Sequence, residues 1–443
     1  MSAARDSDLK TFPYWWNDCP RPELPRLQLP EHADVAIVGS GYTGLNAAIA
    51  LARDGRQVVV LEAASIGNGA STRLAGFIGR SLNHSLPSLQ KQYGLKMAVR
   101  MLREAGDAHF FLLDWIKQEK IDAKILYRGR FTAAHRPEAY ESMARNAELL
   151  NKHVPLRFSM CPRSEQTREI GTDFYFGGLI LEEHGTLHPA SYHQGLVTLA
   201  LQSGVTIVPH CSVRKLSGCA ADGFSLDTEL GYVRANDVLI ATNGYTREQK
   251  NLSPWLRRRI IPVAAYQIAT EPLSKDLMKS VKPTGRALVD SKRNTFWDRP
   301  TPDDQRLIFG GRTGSNDGSL SVTARKLRNL LVQVYPQLAA SRIEYVWQGT
   351  TAFTFDKLPH MGQTSDGVYF AGGYCAQGLP IGTLFGHHIA QRILGKSVQD
   401  DSVFWNREFP TWPFYGGENP WFMPIVMGRY NLLDGFELLR SKR

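Results

Sequence analysis

The 443-residue sequence contains no run of about 18 or more apolar residues, so no segment reads as a membrane-spanning helix. Cysteine is scarce. Cys19, Cys161, Cys211, Cys219 and Cys375 are odd in number and scattered, which argues against a disulfide framework or a zinc cluster and suggests reduced thiols in a cytoplasm. Met1 to Lys10 is polar, so no secretory signal is expected. Long blocks of one charge are missing too. Lys and Arg outnumber Asp and Glu by 52 to 42, yet the densest basic run is Arg257-Arg258-Arg259. That dispersal speaks against a nucleic-acid partner and for a solvated basic surface or a field that draws anions. His184, His188 and His193 lie close together, but no carboxylate or cysteine is clearly placed to complete a site, so no metal is expected.

Against these absences stands one dense signal, Asp34 to Glu62. Asp34-Val-Ala-Ile-Val38 is a short β-branched apolar run stopped by glycine. Gly39-Ser-Gly41-Tyr-Thr-Gly44 follows, and Leu45, Ala48, Ile49 and Ala52 then recur at helical spacing up to Gly55. Gln57-Val-Val-Val-Leu61 is a second buried strand closing on Glu62. A βαβ unit with G-x-G-x-x-G in its first turn and an acid about 20 residues on is the fingerprint of an adenine-dinucleotide site. Gly39 permits the tight turn, Gly41 lets the pyrophosphate approach and Gly44 lets helix and strand pack closely. The helix N-terminus faces the phosphates, and Glu62 can accept both ribose hydroxyls.

Hydrophobic content of 43% over this length predicts two intimately joined domains. Prolines 13, 20, 22, 25 and 30 forbid a helix in the arm that carries Tyr14-Trp15-Trp16, which reads as extended chain over the surface. From about 85 to 155 the pattern turns helical, with a strand expected at Tyr127–Ala134 and a helix from 136 to 151. Strands then recur at 205–208, 212–216 and 237–241, the last ending in Thr242-Asn-Gly-Tyr245. Val263–Thr270, Asn294–Arg299 and Arg306–Phe309 form a second β-rich region, with Tyr266, Phe296 or Trp297 and Arg312 available to point into a cavity. Near the C-terminus a strand, Gly367–Ala371, runs into Gly372-Gly-Tyr-Cys-Ala-Gln-Gly-Leu-Pro-Ile-Gly382 and a helix from Thr383 to Leu394. The aromatic residues beyond 400 are expected to pack on the body or on a partner subunit.

A nicotinamide enzyme needs only the first glycine turn. A flavoprotein must also hold the ring system, and a second helix N-terminus can stabilise the charge of a reduced flavin. Together these stretches resemble the D-amino-acid oxidase-like superfamily of FAD oxidoreductases, which includes glycine and sarcosine oxidases, and within it the gamma-glutamylputrescine oxidase-like branch. Tyr14-Trp15, Gly41-Tyr-Thr-Gly44, Gly69-Ala-Ser-Thr-Arg-Leu-Ala-Gly76 and Gly372-Gly-Tyr-Cys-Ala-Gln-Gly378 carry the resemblance, which covers about residues 12 to 430.

The resemblance implies an α/β fold: a Rossmann-like FAD-binding domain with an inserted α+β substrate domain carrying a mixed sheet. On that reading 1–30 is the arm, 31–95, 180–250 and 340–400 bind FAD, 96–179 and 251–339 form the substrate domain, and 401–443 is a packing segment. The implied cofactor residues are Gly39, Gly41, Tyr42, Thr43, Gly44, Glu62 and Ala63; Gly69, Ala70, Ser71, Thr72, Arg73, Leu74, Ala75 and Gly76; Val213; Ala241, Thr242 and Asn243; and Gly373, Tyr374, Gly378, Leu379, Pro380 and Ile381. Implied chemistry is oxidation of an amine C–N bond, with O2 or another acceptor taking the electrons. Alternatives are N-demethylation or oxidative cyclisation, or a non-catalytic flavin-bearing protein.

Two departures from the sarcosine oxidase group are visible. Gly349–Asp356 has no cysteine, so FAD is expected to be non-covalent, and Pro380 stands where a lysine would grip a carboxylate. Tyr266, Trp347 and Tyr374 are candidates for an aromatic amine box, with Phe77 beside them; Arg312 or Arg73 could bind a carboxylate or serve structurally. No side chain announces itself as a base; His360 and His84 are candidates that read more simply as structural histidines. A small-molecule amine, no nucleic acid, and a monomer or homodimer complete the expectations.

Overall fold

The computed structural model describes residues 9–25, 27–311, 319–396 and 402–441; Arg312 lies outside them. One sheet has the order His360–Gln363, Tyr369–Gly372, Gly231–Ile240, His32–Val38, Val58–Leu61, Thr206–Val208, and the hairpin strands Val213–Cys219 and Gly223–Thr228 extend from Gly231–Ile240. The five strands from Tyr369–Gly372 to Thr206–Val208 are parallel. Both faces of such a sheet are covered, which is why Val58–Leu61 is buried at every position rather than alternating. The register brings Val38 level with Leu61 and Ile240. Their carboxyl ends therefore open together, the place where parallel α/β sheets bind ligands.

The second sheet is mixed, as expected: Ile343–Phe353, Ile261–Thr270, Leu307–Gly311, Phe296–Pro300, Ala287–Asp290, Arg130–Ala133, Gly178–Leu181, Phe158–Cys161. Only Ala287–Asp290 and Arg130–Ala133 run parallel. Its outer face carries the core of Phe131, Ala133, Tyr266, Ile268, Leu288 and Phe296, with the helix Leu320–Val334 against them. Successive side chains alternate between faces. Arg130, Ala265, Gln267, Val289 and Trp297 consequently look the other way, into a cavity.

Two expectations are corrected here. The arm does contain a helical turn, Trp15–Asp18, because the interval between Pro13 and Pro20 is free of proline and long enough for one turn. The last glycine turn is shorter than read, since its helix begins at Gly378 rather than Thr383 and Pro380 sits harmlessly in the first turn, where no intrahelical N–H bond is lost. Gly178–Leu181 and Ile343–Phe353 belong to the mixed sheet, while the helix Leu95–Gln118 contributes Ala98, Met101 and Leu112 to the core of the parallel-sheet body. At the C-terminus Trp412, Tyr415 and Phe422 pack on Ile261 and Val263, and the helix Met423–Ser441 follows.

Candidate active site

The two glycine turns, more than 300 residues apart in sequence, touch. Thr43 Oγ1 in the first helix and Tyr374 OH in the second turn share a hydrogen bond of 2.6 Å. Glycines make this possible. A Cβ on Gly44 would lie 2.1 Å from Gly39 O, and one on Gly386 would lie 2.5 Å from Thr43 O, so either would force the packed backbones apart. Asn243, itself at φ +44°, accepts from Gly373 N–H at 2.9 Å and ties the second turn to the central strand.

Two cavities lie along this junction. The first, about 180 Å3, is lined by Gly39, Gly41, Tyr42, Thr43, Glu62, Ala63, Gly69, Ala70, Ser71, Ala241, Thr242, Asn243, Tyr374 and Gly378 among others. Glu62 sits at its floor, its carboxylate accepting from Ser40 N–H (3.0 Å), Ser40 Oγ–H (2.7 Å) and Ala64 N–H (3.1 Å). Cys211 N–H donates to the Glu62 carbonyl at 2.8 Å, which sets Val213 two residues from the acid, although Val213 is not among the lining residues. The second cavity, about 290 Å3, shares Ala70, Leu74, Asn243, Tyr374 and Gly378 with the first. A cofactor with a phosphate-bearing end and a flat ring fits this arrangement: helix N-termini and an open glycine backbone along one half, and a roomier chamber beyond.

The loop between is firmly held. Arg73 donates Nε–H to Asn68 O (2.7 Å) and Nη1–H to Gln348 O (3.2 Å), so its guanidinium is committed to backbone. The Arg73 carbonyl in turn accepts from Gln267 Nε2 (2.6 Å) and Trp347 Nε1 (2.8 Å). Buried Arg299 donates to Ala75 O (3.1 Å) and Leu187 O (2.7 Å), fixing Gly76 against the neighbouring chain. Arm tryptophans reach the same loop: Trp15 Nε1 donates to Leu74 O (3.0 Å) and Trp16 Nε1 to Thr72 Oγ1 (2.8 Å).

Among the pocket candidates, Phe77 and Tyr374 line the second cavity. Tyr266 does not: strand alternation turns it into the outer core, and Trp347 is fully buried with Tyr14 and Trp15. Thr72, Gly373, Pro380 and Ile381 lie behind the walls, whereas Leu379 and Ala75 line them. His360 pairs with Asp356 at 3.0 Å and stacks on Phe409, and His84 bonds to the Asp356 carbonyl at 2.7 Å; neither lines the cavities. His193 is bonded to Ser40 O at 2.8 Å, its pKa pushed down to about 4 by burial. Trp297, one of the residues expected to point into a cavity, lines the chamber, and so do Arg130, Asn83, Gln267, Val289, Thr295 and Gln377, which had not been singled out. The parity of the strands, anchored on a core residue such as Ile268, was the signal that could have found Gln267 and chosen Trp297 over Phe296.

Residues 34–392 match the family described as DAO, FAD dependent oxidoreductase. The chain belongs to that family. Its relatives include a probable oxidoreductase, OrdL, of Haemophilus influenzae, 30% identical over 89% of this chain and 90% of that protein. Gamma-glutamylputrescine oxidoreductase of Escherichia coli is 29% identical over 90% of this chain and 92% of its own. Among solved structures, glycine oxidase from Geobacillus kaustophilus superposes with a TM-score of 0.69 at 19% identity, covering 86% of this chain and 99% of the other, a likeness of fold. The family member described here is thus an FAD-dependent oxidoreductase, and its two contiguous cavities are where FAD fits. No helix among the described residues is long and apolar enough to cross a membrane.

Proposed function

We propose that this FAD enzyme oxidises the C–N bond of a primary or secondary amine, or of an amino acid derivative, and holds its FAD without a covalent link. The observation that carries the reading is the chamber continuous with the dinucleotide cleft through Tyr374 and Gly378. Bound FAD supplies a two-electron acceptor at N5 for the hydride leaving the carbon next to nitrogen, and O2 or another acceptor takes the electrons onward. The nitrogen lone pair completes a C=N bond, which water then cleaves.

The chain's own residues bind, orient and exclude water. Phe77, Leu379, Ala265 and Val289 make the chamber largely apolar, which favours the uncharged amine that hydride loss requires. Trp297 Nε1 and Gln267 Oε1, both buried and unpartnered, offer one donor and one acceptor for fixing a polar substrate. No Asp, Glu or His lines the chamber among the described residues, so positioning rather than side-chain proton removal supplies the catalysis. Cys375 also lines it, but its Sγ is engaged with Gly373 O at 3.1 Å, in keeping with non-covalent FAD. Similarity to gamma-glutamylputrescine oxidoreductase supports an amine substrate. The free thiols and dispersed charge support a cytoplasmic protein, monomer or homodimer, without a nucleic-acid partner.

Anaerobic mixing with amino acids, polyamines and N-methyl amines tests this. At least one should bleach the flavin band, with ammonia, a primary amine or formaldehyde among the products; an unchanged spectrum across all three classes would end the proposal.

A further inference from the structure

The helix Met423–Ser441 has two unlike faces. In the sequence Asn431, Asp434 and Glu437 interrupt its apolar run. The fold turns all three to the body: Asp434 and Glu437 pair with Arg293 at 2.7 Å each, and Asn431 Oδ1 accepts from Asn294 Nδ2 at 3.0 Å. Met427 is buried on the same side. At about 100° per residue, Ile425, Leu432 and Phe436 fall within roughly 20° of one line, opposite Asp434. That line looks outward, for the three side chains are 64% to 68% exposed. Trp421 and Phe414, also more than half exposed, extend the apolar surface ahead of the helix, held in an aromatic cluster with Trp412 and Phe422. Outside this segment, of the large apolar side chains among the described residues, only Leu230 and Tyr232, on a hairpin, are as open to water.

Soluble chains rarely leave such large apolar side chains clustered in water, and a cluster of them marks an interaction surface. The charge around it says which kind. Its acids are spent on Arg293, so Arg429 is the charge on the outward side among the described residues of the helix, and the sequence continues through Arg440, Lys442 and Arg443. The chain as a whole carries +10. We propose that this face docks on a bilayer of acidic phospholipids: the helix lies in the plane of the headgroups, its apolar line enters the acyl boundary together with Phe414 and Trp421, and Arg429 meets lipid phosphates. A helix with aromatic and aliphatic anchors on one face and basic residues beside them binds such surfaces without spanning them. A second copy of the chain is the poorer occupant, because a stable dimer uses roughly 20–30 residues a side and this face is one helix flank. The ion pairs to Arg293 already hold the helix on the body with its apolar line outward, so docking needs no rearrangement.

Sucrose-loaded vesicles of phosphatidylcholine, alone or mixed with phosphatidylglycerol, are the probe. Holoenzyme should sediment with the mixed vesicles, less so as salt is raised, and hardly at all with phosphatidylcholine alone. Leu432→Gln combined with Phe436→Gln keeps the net charge and should weaken that binding by about 10-fold or more, the loss of two inserted apolar side chains. Arg429→Gln should weaken it by about 5-fold at low salt, a difference that high salt removes. Flavin content and thermal midpoint should match wild type, since all three side chains are exposed; if the double substitution unfolds the protein, Arg429→Gln carries the test. Equal binding by wild type and the folded variants, equal binding to both kinds of vesicle, or no binding of wild type to acidic vesicles at low salt overturns the proposal. So does a lipid-free dimer, seen by sedimentation velocity, that the double substitution splits into monomers: a second copy would then cover the face.

Discussion

At the scale of residues, the cofactor cleft depends on groups that do nothing chemical. Tyr374 OH and Thr43 Oγ1 are partners inside a buried junction, and burial drives the phenol pKa well up, so it remains a neutral hydrogen-bonding group throughout the physiological range. Tyr374→Phe leaves the Thr43 hydroxyl without this partner and should lower stability by about 1–3 kcal/mol, the desolvation cost of an unmade bond. Because the lost bridge pins the ring that lines both cavities, FAD affinity should fall in parallel. Thermal unfolding with and without added FAD measures both effects; a variant unchanged in each would show that the bridge contributes nothing. Arg299 is the less obvious case. Its sequence neighbourhood offered no hint that it fastens Ala75 and Leu187, since both partners are backbone carbonyls brought in from distant segments.

At the scale of elements, the decisive contact is between the helices Tyr42–Arg53 and Gly378–Ile393. Gly382 and Gly386 let them approach: a Cβ at the first would lie 3.0 Å from Thr43 Oγ1, and at the second 3.0 Å from Asn46 Cβ as well as 2.5 Å from Thr43 O. Alanine is favoured over glycine inside a helix by about 1 kcal/mol. At Gly386 the backbone clash should outweigh that preference, since overpacking costs about 1–3 kcal/mol, so Gly386→Ala lowers the unfolding midpoint and weakens FAD binding. Gly428, in the C-terminal helix with nothing within 4 Å of its would-be Cβ, is the control: Gly428→Ala should leave stability equal or higher. Equal responses at the two sites would refute the packing argument. The C-terminal helix itself is tied down by charge. Arg293 pairs with Asp434 and Glu437 at 2.7 Å each, and His135 lies 3.4 Å from Glu437. These three acid and imidazole groups cluster like metal ligands, but the arginine occupies the carboxylates.

At the scale of the whole molecule, acid should unfold the protein through its histidines. His109, His193, His387 and His388 all have pKa values lowered to about 4, chiefly by burial. An unfolded histidine titrates near 6.5, so between 6.5 and 4 the unfolded chain binds protons that the folded one refuses, and stability falls as pH drops through that window. Asp290, raised to about 7 by burial, acts in the opposite direction, as do the likewise raised carboxyls of Glu104, Asp107, Asp237, Glu248 and Asp298, while His135, His184 and His188, also lowered by burial, add to the four imidazoles. The unfolding midpoint should therefore drop steadily from about pH 6.5 towards 5. A midpoint flat over that range would mean these imidazoles are not buried neutral.

The sequence by itself determined the dinucleotide unit. Strand, glycine turn, helix, strand and acid are local in chain order, and Gly44 is demanded by a backbone approach within that unit, that of Gly39 O. It also determined the strands Ile261–Thr270, Phe296–Pro300 and Leu307–Gly311 of the second sheet, because alternation is a local property, though not Phe158–Cys161, Ala287–Asp290 or Ile343–Phe353. What only the tertiary structure decided is which face of that sheet meets the cofactor. A single step of parity sends Tyr266 into the outer core and hands Gln267, Trp297 and Arg130 to the chamber. That choice is made by what packs on either side, the helix Leu320–Val334 on one and the Arg73–Gly79 loop on the other. No window of sequence contains both, so burial had to settle it.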